Sequence, residues 1–209
     1  MTRIISGTAG GRRLKTPSGS ATRPTSDRVR EALFSGLESR DVLRGAHVLD
    51  LYAGSGALGL EAASRGAASV VLVESDRRAA AVARENADSL GLASVSVRIS
   101  SVEKLLAGTP TRPVDLVLAD PPYDVAEDAL AHVLGLLTER GWLAAGALLV
   151  VERSTRSPEP AWPPGVVPEG CRTYGETTLW FAGTGAGAGE RHDREPAAAG
   201  ARDTETDER

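Results

Sequence analysis

The sequence is poor in the residues that form disulfides and metal sites. It has one cysteine, Cys171, in 209 residues, so a disulfide within the chain is excluded. The three histidines, His47, His132 and His192, are scattered, and with a single thiol they do not show the spacing of a metal site. We therefore expect no metal cofactor.

Long apolar runs are also missing. No stretch approaches the roughly 20 apolar residues that a membrane-spanning helix needs. The N-terminus does not combine positive charge with a following apolar run. The sequence therefore predicts no membrane partner and, most simply, a cytoplasmic location. A length of 209 residues allows one domain with a substantial core, and no repeat of fixed period is visible.

The formal net charge is −4, but the charge is unevenly distributed. Residues 1–30 contain seven basic residues and one acidic residue, whereas residues 183–209 contain four basic and seven acidic residues. The tail is otherwise rich in Gly and Ala, and such a composition buries too little apolar surface to fold. We predict that residues 183–209 are disordered and that the basic N-terminal segment contacts nucleic acid.

The first 40 residues are predicted to form a basic β-hairpin followed by a helix. Two short arms, Arg3–Ser6 and Arg12–Lys15, flank a glycine-rich turn. From Ser26 to Ser39, apolar residues recur every four positions, as in an amphipathic helix. We expect this appendage to face RNA, although an ordinary solvated basic surface is the alternative. The residues expected to contact phosphates are Arg12, Arg13, Lys15 and Arg23.

Residues 41–182 alternate short β-branched runs with helical patterns, which predicts an α/β domain with a mostly parallel sheet. Strands are expected at 48–53, 69–74, 95–99, 114–119 and 147–152, and helices at 57–65, 77–90 and 126–140. Two weaker strand patterns, near 166–174 and 177–182, would add a hairpin at one edge of the sheet.

A glycine-rich loop follows the first predicted strand. Gly54, Gly56 and Gly59 have the spacing G-x-G-x-x-G, which lets the backbone approach a nucleotide cofactor closely. The spacing alone leaves open a nicotinamide or flavin dinucleotide and S-adenosylmethionine.

Two acidic residues bear on this choice. Asp50, just before the loop, would repel a pyrophosphate but can hold an ammonium group such as that of a methionine moiety. Glu74 ends the next strand, where a carboxylate can accept hydrogen bonds from ribose hydroxyls. We therefore favour S-adenosylmethionine, with a purely structural role as the alternative for either residue. The predicted cofactor-binding residues are Asp50, Tyr52, Ala53, Gly54, Ser55, Gly56, Glu74, Ser101 and Val102.

The tetrapeptide Asp120-Pro121-Pro122-Tyr123 follows a buried-looking strand. An amine on an aromatic ring is a poor nucleophile, because its lone pair is delocalised. The Asp120 carboxylate and the Pro121 carbonyl can accept its two hydrogens and direct the lone pair at an electrophilic methyl group. Pro122 stiffens the turn, and Tyr123 can stack on an extruded base. All four residues are predicted to be catalytic, and the alternative is an ordinary Pro-Pro turn.

With these motifs the sequence resembles the RsmD family of bacterial ribosomal RNA guanine-N2 methyltransferases. The likeness covers roughly residues 3–182 and depends on Arg3–Gly7, Gly11–Leu14 and especially Arg23–Phe34. It implies a Rossmann-like class I S-adenosylmethionine-dependent methyltransferase fold, with a seven-stranded sheet whose last strand pair includes an antiparallel member. It also implies methylation of one guanine N2 in 16S rRNA, in an assembled or nearly assembled small ribosomal subunit, as a step of ribosome maturation.

The resemblance is incomplete after the third predicted strand. Many related methyltransferases have Asp or Asn after the third strand, where the side chain contacts the adenine amine, but this sequence has Ser100 and Ser101. Ser100 and Glu103 also have capping-box spacing, so helix capping is an alternative there.

Four other functions stay open at this point. They are methylation of DNA adenine or cytosine, methylation of a protein glutamine, nicotinamide-dependent dehydrogenation, and RNA binding with a vestigial cofactor pocket.

Overall fold

The computed structural model describes residues 2–17 and 27–185. Its elements are a 3₁₀ helix (Gly7–Ala9), α1 (Asp27–Ser39), β1 (His47–Leu51), α2 (Ala57–Ser64), β2 (Ser69–Glu74), α3 (Arg77–Leu90), β3 (Val95–Ile99), α4 (Val102–Leu106), β4 (Val114–Ala119), α5 (Glu127–Glu139), β5 (Leu143–Ser154), β6 (Val166–Tyr174) and β7 (Thr177–Thr184).

The seven strands form one sheet in the order β3-β2-β1-β4-β5-β7-β6. Strands β1 to β5 pair in parallel, and β7 is antiparallel to both β5 and β6. The predicted mostly parallel sheet with an antiparallel member is confirmed. Strand β1 lies beside β4, with Leu51 opposite Ala119, so the strand order reverses there. Ligands bind at such reversals, outside the carboxyl ends of the strands.

Helices cover both faces of the sheet, and this explains why β1 has buried apolar residues on both of its faces. Val48 packs in one core layer with α1, α2 and α3, whereas Leu49 and Leu51 pack in the other with α4 and α5. Successive side chains of a strand point to opposite faces, so a strand covered on both sides needs apolar residues on each face.

The structure differs from the predicted strand and helix bounds at several places. Strand β1 ends at Leu51, two residues before the predicted end, because Tyr52 has a positive φ of 62° that no strand continues. Strand β5 begins at Leu143 rather than 147, and its pairing with β4 shifts register between Val114 and Leu116. The short helix α4 was not predicted.

Strand β7 is longer than predicted and includes Gly183 and Thr184, which the sequence assigns to the tail. Gly183 pairs with Leu148 of β5. The Thr184 hydroxyl accepts a hydrogen bond from the Ala147 amide at 2.8 Å and donates one to the Ala144 carbonyl at 2.9 Å. These bonds hold the strand two residues beyond the predicted end, and the rest of the predicted tail, from residue 186, lies outside the described residues.

The N-terminal hairpin is short but well hydrogen-bonded. The Ile4 amide donates to the Arg12 carbonyl at 2.9 Å, and the Gly11 amide donates to the Ile4 carbonyl at 2.8 Å. Its turn contains the 3₁₀ helix, and Arg3 and Arg13 form an antiparallel bridge. Ile4 is fully buried in the same apolar layer as α1 and α2, so the hairpin shares its core with the sheet.

A buried carboxylate on α2 holds this hairpin in place. Glu61 is fully buried, and its oxygens accept hydrogen bonds from the Ile5 and Ser6 amides at 2.7 and 3.0 Å. Its charge is paired with Arg65, whose Nε donates to it at 2.7 Å. A second contact is steric: a Cβ on Gly7 would lie 2.0 Å from the Ser64 carbonyl oxygen, so only glycine fits there.

We predict that Glu61→Gln lowers the free energy of unfolding by about 3 kcal/mol, because it leaves a buried arginine without its buried partner. Urea unfolding followed by circular dichroism measures this change. The matched control is Glu38→Gln, which removes the half-exposed partner of Arg65 and is expected to cost less than about 1 kcal/mol. Equal losses in the two variants would contradict this role of Glu61.

Candidate active site

One cavity of about 570 Å³ lies at the carboxyl ends of the central parallel strands. Its walls come from the loop after β1, the end of β2, the start of α4 and the segment after β4. The first turns of α2 and α3 and two parts of the N-terminal region, Thr16-Pro17 and Arg30, complete the lining. The two motifs that the sequence separates by more than sixty residues therefore line the same space.

The glycine loop turns sharply at the cavity wall. Gly54 and Gly56 have positive φ values of 55° and 85°, and Gly56 caps α2. Gly59 is required for another reason, since a Cβ there would lie 2.2 Å from a methyl group of Leu72. The first two glycines thus shape the loop, whereas the third allows α2 to pack closely on β2.

Asp50 is the last residue but one of β1, close to this loop, and is nearly fully buried. Its Oδ2 accepts a hydrogen bond from the Gly59 amide at 2.8 Å. Burial raises the pKa of the Asp50 carboxyl to about 7; the hydrogen bond from Gly59 opposes this shift, and the Glu74 carboxylate adds to it. A desolvated carboxylate in a cavity wall is a site for a cationic group, whose binding would restore the ionised form.

Glu74 connects the two loops that border the cavity. Its Oε2 accepts from the Gly54 amide at 2.8 Å, and its Oε1 accepts from the Asp76 amide at 2.7 Å. The structural role that the sequence analysis gave as the alternative for Glu74 is therefore present. Each carboxylate oxygen can accept more than one hydrogen bond, so the predicted role towards ribose hydroxyls is compatible with it.

Ser100, Ser101 and Val102 line the cavity opposite the glycine loop. Helix capping, the alternative given for Ser100, is found one residue later. Ser101 is the N-cap of α4, and its hydroxyl accepts from the Lys104 amide at 3.3 Å, because α4 begins at Val102. Ser100 instead donates its backbone amide to the Glu74 carbonyl at 3.0 Å.

The tetrapeptide after β4 is split between the core and the cavity. Asp120 and Pro122 line the cavity, Pro121 is buried behind them, and Tyr123 is 65% exposed. The Val125 amide donates to the Pro122 carbonyl at 3.0 Å and closes a tight turn. The predicted catalytic carboxylate thus faces the space that the glycine loop borders.

Arg153, which the sequence analysis did not single out, supports this turn. It is buried at the end of β5, and its Nη2 donates to the Val125 carbonyl at 3.1 Å and to the carboxylate of Glu127. The hydroxyl of Tyr52, a residue of the cavity wall, is buried and has no hydrogen-bond partner among the described residues. Burial raises the pKa of the Tyr52 hydroxyl to about 12, so the neutral phenol is the form present.

The predicted phosphate contacts are distributed over the N-terminal hairpin. Arg12 donates to the Ser89 carbonyl, Lys15 pairs with Glu85, and both stay exposed, as does Arg13. Arg23 lies outside the described residues.

Asn86, a second residue that the sequence analysis did not single out, connects the hairpin to the glycine loop. Its side chain accepts from the Lys15 amide at 2.9 Å and donates to the carbonyls of Lys15 and Ser55, both at 3.0 Å.

Within the two described ranges, no group of three or more His, Cys, Asp or Glu residues could hold a metal ion. No described helix is long and apolar enough to cross a membrane.

Comparisons with known proteins agree with this geometry. The protein family described as Conserved hypothetical protein 95 matches residues 2–183. Ribosomal RNA small subunit methyltransferase D of Escherichia coli strain K12 is 41% identical over 161 residues, which are 77% of this chain and 79% of that protein. The protein of the same name from Haemophilus influenzae is 36% identical over 161 residues, 75% and 80% of the two chains. The chain belongs to the RsmD family.

Solved structures support the same fold. The structure of yhhF from Escherichia coli matches with a TM-score of 0.78 and 38% identity, covering 88% of this chain and 98% of that chain. An RNA methyltransferase from Salinibacter ruber, solved with S-adenosyl-L-homocysteine, matches with a TM-score of 0.59 and 20% identity, covering 83% and 100% of the two chains. The class I methyltransferase fold is thereby confirmed, and the dehydrogenase suggested by the glycine spacing alone is not supported.

We predict that Asp50 makes the stability of the cofactor-free protein depend on pH. The folded protein holds the Asp50 proton up to a pH of about 7, whereas an unfolded aspartate loses it near a pH of about 4. Ionisation therefore destabilises the folded state as pH rises. Between pH of about 5.5 and 7, the unfolding free energy of the wild type should fall relative to Asp50→Asn by about 1.4 kcal/mol per pH unit.

Urea unfolding of both proteins across this pH range measures the effect. Asp88→Asn, which changes an exposed carboxylate on α3, is the matched control and should run parallel to the wild type. Parallel curves for Asp50→Asn and the wild type would contradict the raised pKa.

Proposed function

We propose that this protein transfers a methyl group from S-adenosylmethionine to N2 of one guanine in 16S rRNA, with an assembled or nearly assembled small ribosomal subunit as substrate. Membership of the RsmD family makes the chain an RNA methyltransferase, and the choice of guanine N2 and of the subunit extends this to a particular site. A ribosomal substrate agrees with the cytoplasmic location that the sequence predicts.

The observation that carries the proposal is that the glycine loop, Glu74 and Asp120 line one cavity. A methyl transfer needs the donor and the acceptor held in line within one site. The strand order provides this, because β1 and β4 are neighbours and both end at the cavity.

The residues present fit S-adenosylmethionine. The buried Asp50 carboxylate matches its ammonium group, and the two oxygens of Glu74 can receive ribose hydroxyls while they hold the loop. The open backbone at Gly54, where an added Cβ would meet no atom within 4 Å, leaves space for the ligand. When bound, the cofactor supplies an electrophilic methyl group on its sulfonium.

The segment after β4 prepares the acceptor. The Asp120 carboxylate and the Pro121 carbonyl would accept the two hydrogens of the guanine amine and direct its lone pair towards the methyl group. The amine hydrogen becomes acidic only as the new bond forms, so Asp120 need accept the proton only late. Tyr123, exposed beside them, offers a face for stacking on the extruded base.

A direct test supplies methyl-labelled S-adenosylmethionine to small subunits that lack the modification and, separately, to protein-free 16S rRNA. We expect N2-methylguanine at one position, with more product from subunits than from free RNA. Subunits that already carry the methyl group are the control and should take no label. Label found only in adenine, cytosine or protein would contradict the proposal. Label in adenine or cytosine would favour methylation of one of those bases instead.

We predict that the exposed cations of the hairpin make RNA binding depend on salt. Each neutralised single-strand phosphate contributes a slope of roughly −0.7 in the logarithm of affinity against the logarithm of salt concentration. Arg13→Ala and Lys15→Ala should each reduce the slope by about that amount. Fluorescence anisotropy with a labelled RNA fragment measures it.

The matched control for this titration is Arg140→Ala. Arg140 is exposed at the C-terminal end of α5, next to the start of β5 and away from the cavity, and its replacement should leave the slope unchanged. The same slope in all four proteins would show that the hairpin does not contact phosphates.

A further inference from the structure

The largest fully buried side chain of the described residues is Arg30 on α1. The guanidinium belongs to a helix of the N-terminal region, yet Arg30 lines the cavity that Asp50, Ser55 and Asp120 also line. Arg30 lies in the segment that carries the family resemblance, but the proposed reaction gives it no role so far.

Its hydrogen bonds are incomplete. Nη2 donates to the Arg3 carbonyl at 2.5 Å and to the Asp27 carboxylate at 2.9 Å. Nε and Nη1, which carry three hydrogens between them, are buried and have no partner among the described residues. Burial lowers the pKa of Arg30, and the Asp27 and Glu61 carboxylates oppose that shift. A buried charged group with unpaired donors costs stability unless a ligand pairs with them.

Arg65 shows that the fold can satisfy an arginine in the same region. It is almost as deeply buried, its Nε donates to Glu61 at 2.7 Å, and its Nη1 donates to Glu38 at 2.8 Å. Arg65 does not line the cavity. Arg153, which also lies outside the cavity lining, leaves one buried nitrogen unpaired, whereas Arg30, which borders the ligand space, leaves two.

The location of Arg30 identifies the anion. Asp50 is bonded to Gly59 of α2, and Arg30 interacts electrostatically with Glu61, two residues further along the same helix. The cavity thus presents an acceptor for a cation and donors for an anion near one helix. An α-amino acid carries both groups on one carbon atom. An RNA phosphate fits less well, because it brings no cationic group to match Asp50.

We infer that the Arg30 guanidinium binds the α-carboxylate of the methionine moiety of S-adenosylmethionine, while Asp50 holds its ammonium group. This inference rests on the proposed function, since it assigns a further binding residue in the same cavity. Arginine suits the task because it stays charged when buried and offers several donors to a carboxylate.

The test compares two ligands by isothermal titration calorimetry: S-adenosylhomocysteine, and decarboxylated S-adenosylhomocysteine, in which hydrogen replaces the carboxylate. The wild type should bind the first at least about 30-fold more tightly, as expected for hydrogen bonds to a charged group. In Arg30→Gln this preference should fall below about threefold, whereas the matched control Arg65→Gln should keep the wild-type preference.

Three results would overturn the inference. They are no preference in the wild type, an unchanged preference in Arg30→Gln, and an equal loss of preference in Arg65→Gln. If neither ligand binds the wild type, the proposed function fails as well; if both bind equally, only the assignment of Arg30 fails.

A crystal structure of the wild type with S-adenosylhomocysteine decides the matter even if Arg30→Gln does not fold. A carboxylate oxygen within hydrogen-bond distance of Nε or Nη1 supports the assignment, and a carboxylate bound elsewhere overturns it. If Arg30→Gln binds an RNA fragment more weakly than the wild type does but keeps the wild-type ligand preference, Arg30 binds a phosphate instead.

Discussion

The hydrogen bond between the buried Asp50 carboxylate and the Gly59 amide is the constraint on which the site depends. It joins the end of β1 to α2 and so fixes the loop between them, in which Gly54 and Gly56 turn the backbone with positive φ. The same burial that makes this bond possible raises the pKa of the Asp50 carboxyl to about 7. A carboxylate held at this cost to stability is suited to a cationic ligand.

The N-terminal hairpin and α1 pack against the elements that form the site. Glu61 of α2 accepts hydrogen bonds from backbone amides of the hairpin. Asn86 of α3 donates to the carbonyls of Lys15 and Ser55 and so connects the hairpin to the glycine loop. The segment with the greatest positive charge is thus packed directly against the elements that shape the cavity. An RNA bound along this segment would lie beside the site.

The mostly parallel sheet and the two motifs were predictable from the sequence, because they depend on local patterns: alternation of strands and helices, glycine spacing and a Pro-Pro turn. Tyr52 shows where such patterns fail, since the strand predicted at 48–53 contains this residue with positive φ, which ends β1 early. Glu61, Asn86 and Arg30 were not assigned roles, because a polar residue on a helix gives no sign that it faces the core. The backbone groups to which they bond lie 27 to 71 residues away in sequence, and only the folded chain shows them.

The central claim is that the loop after β1 binds the cofactor while the segment after β4 acts on the amine. The most direct measurement is the single-turnover rate of methyl transfer by Asp120→Ala, taken together with its affinity for S-adenosylmethionine. The rate should fall by about 100-fold or more, as for loss of a group that acts in the transition state, with affinity within about threefold of the wild type. An unchanged rate, or a loss of affinity as large as the loss of rate, would contradict this division of the site.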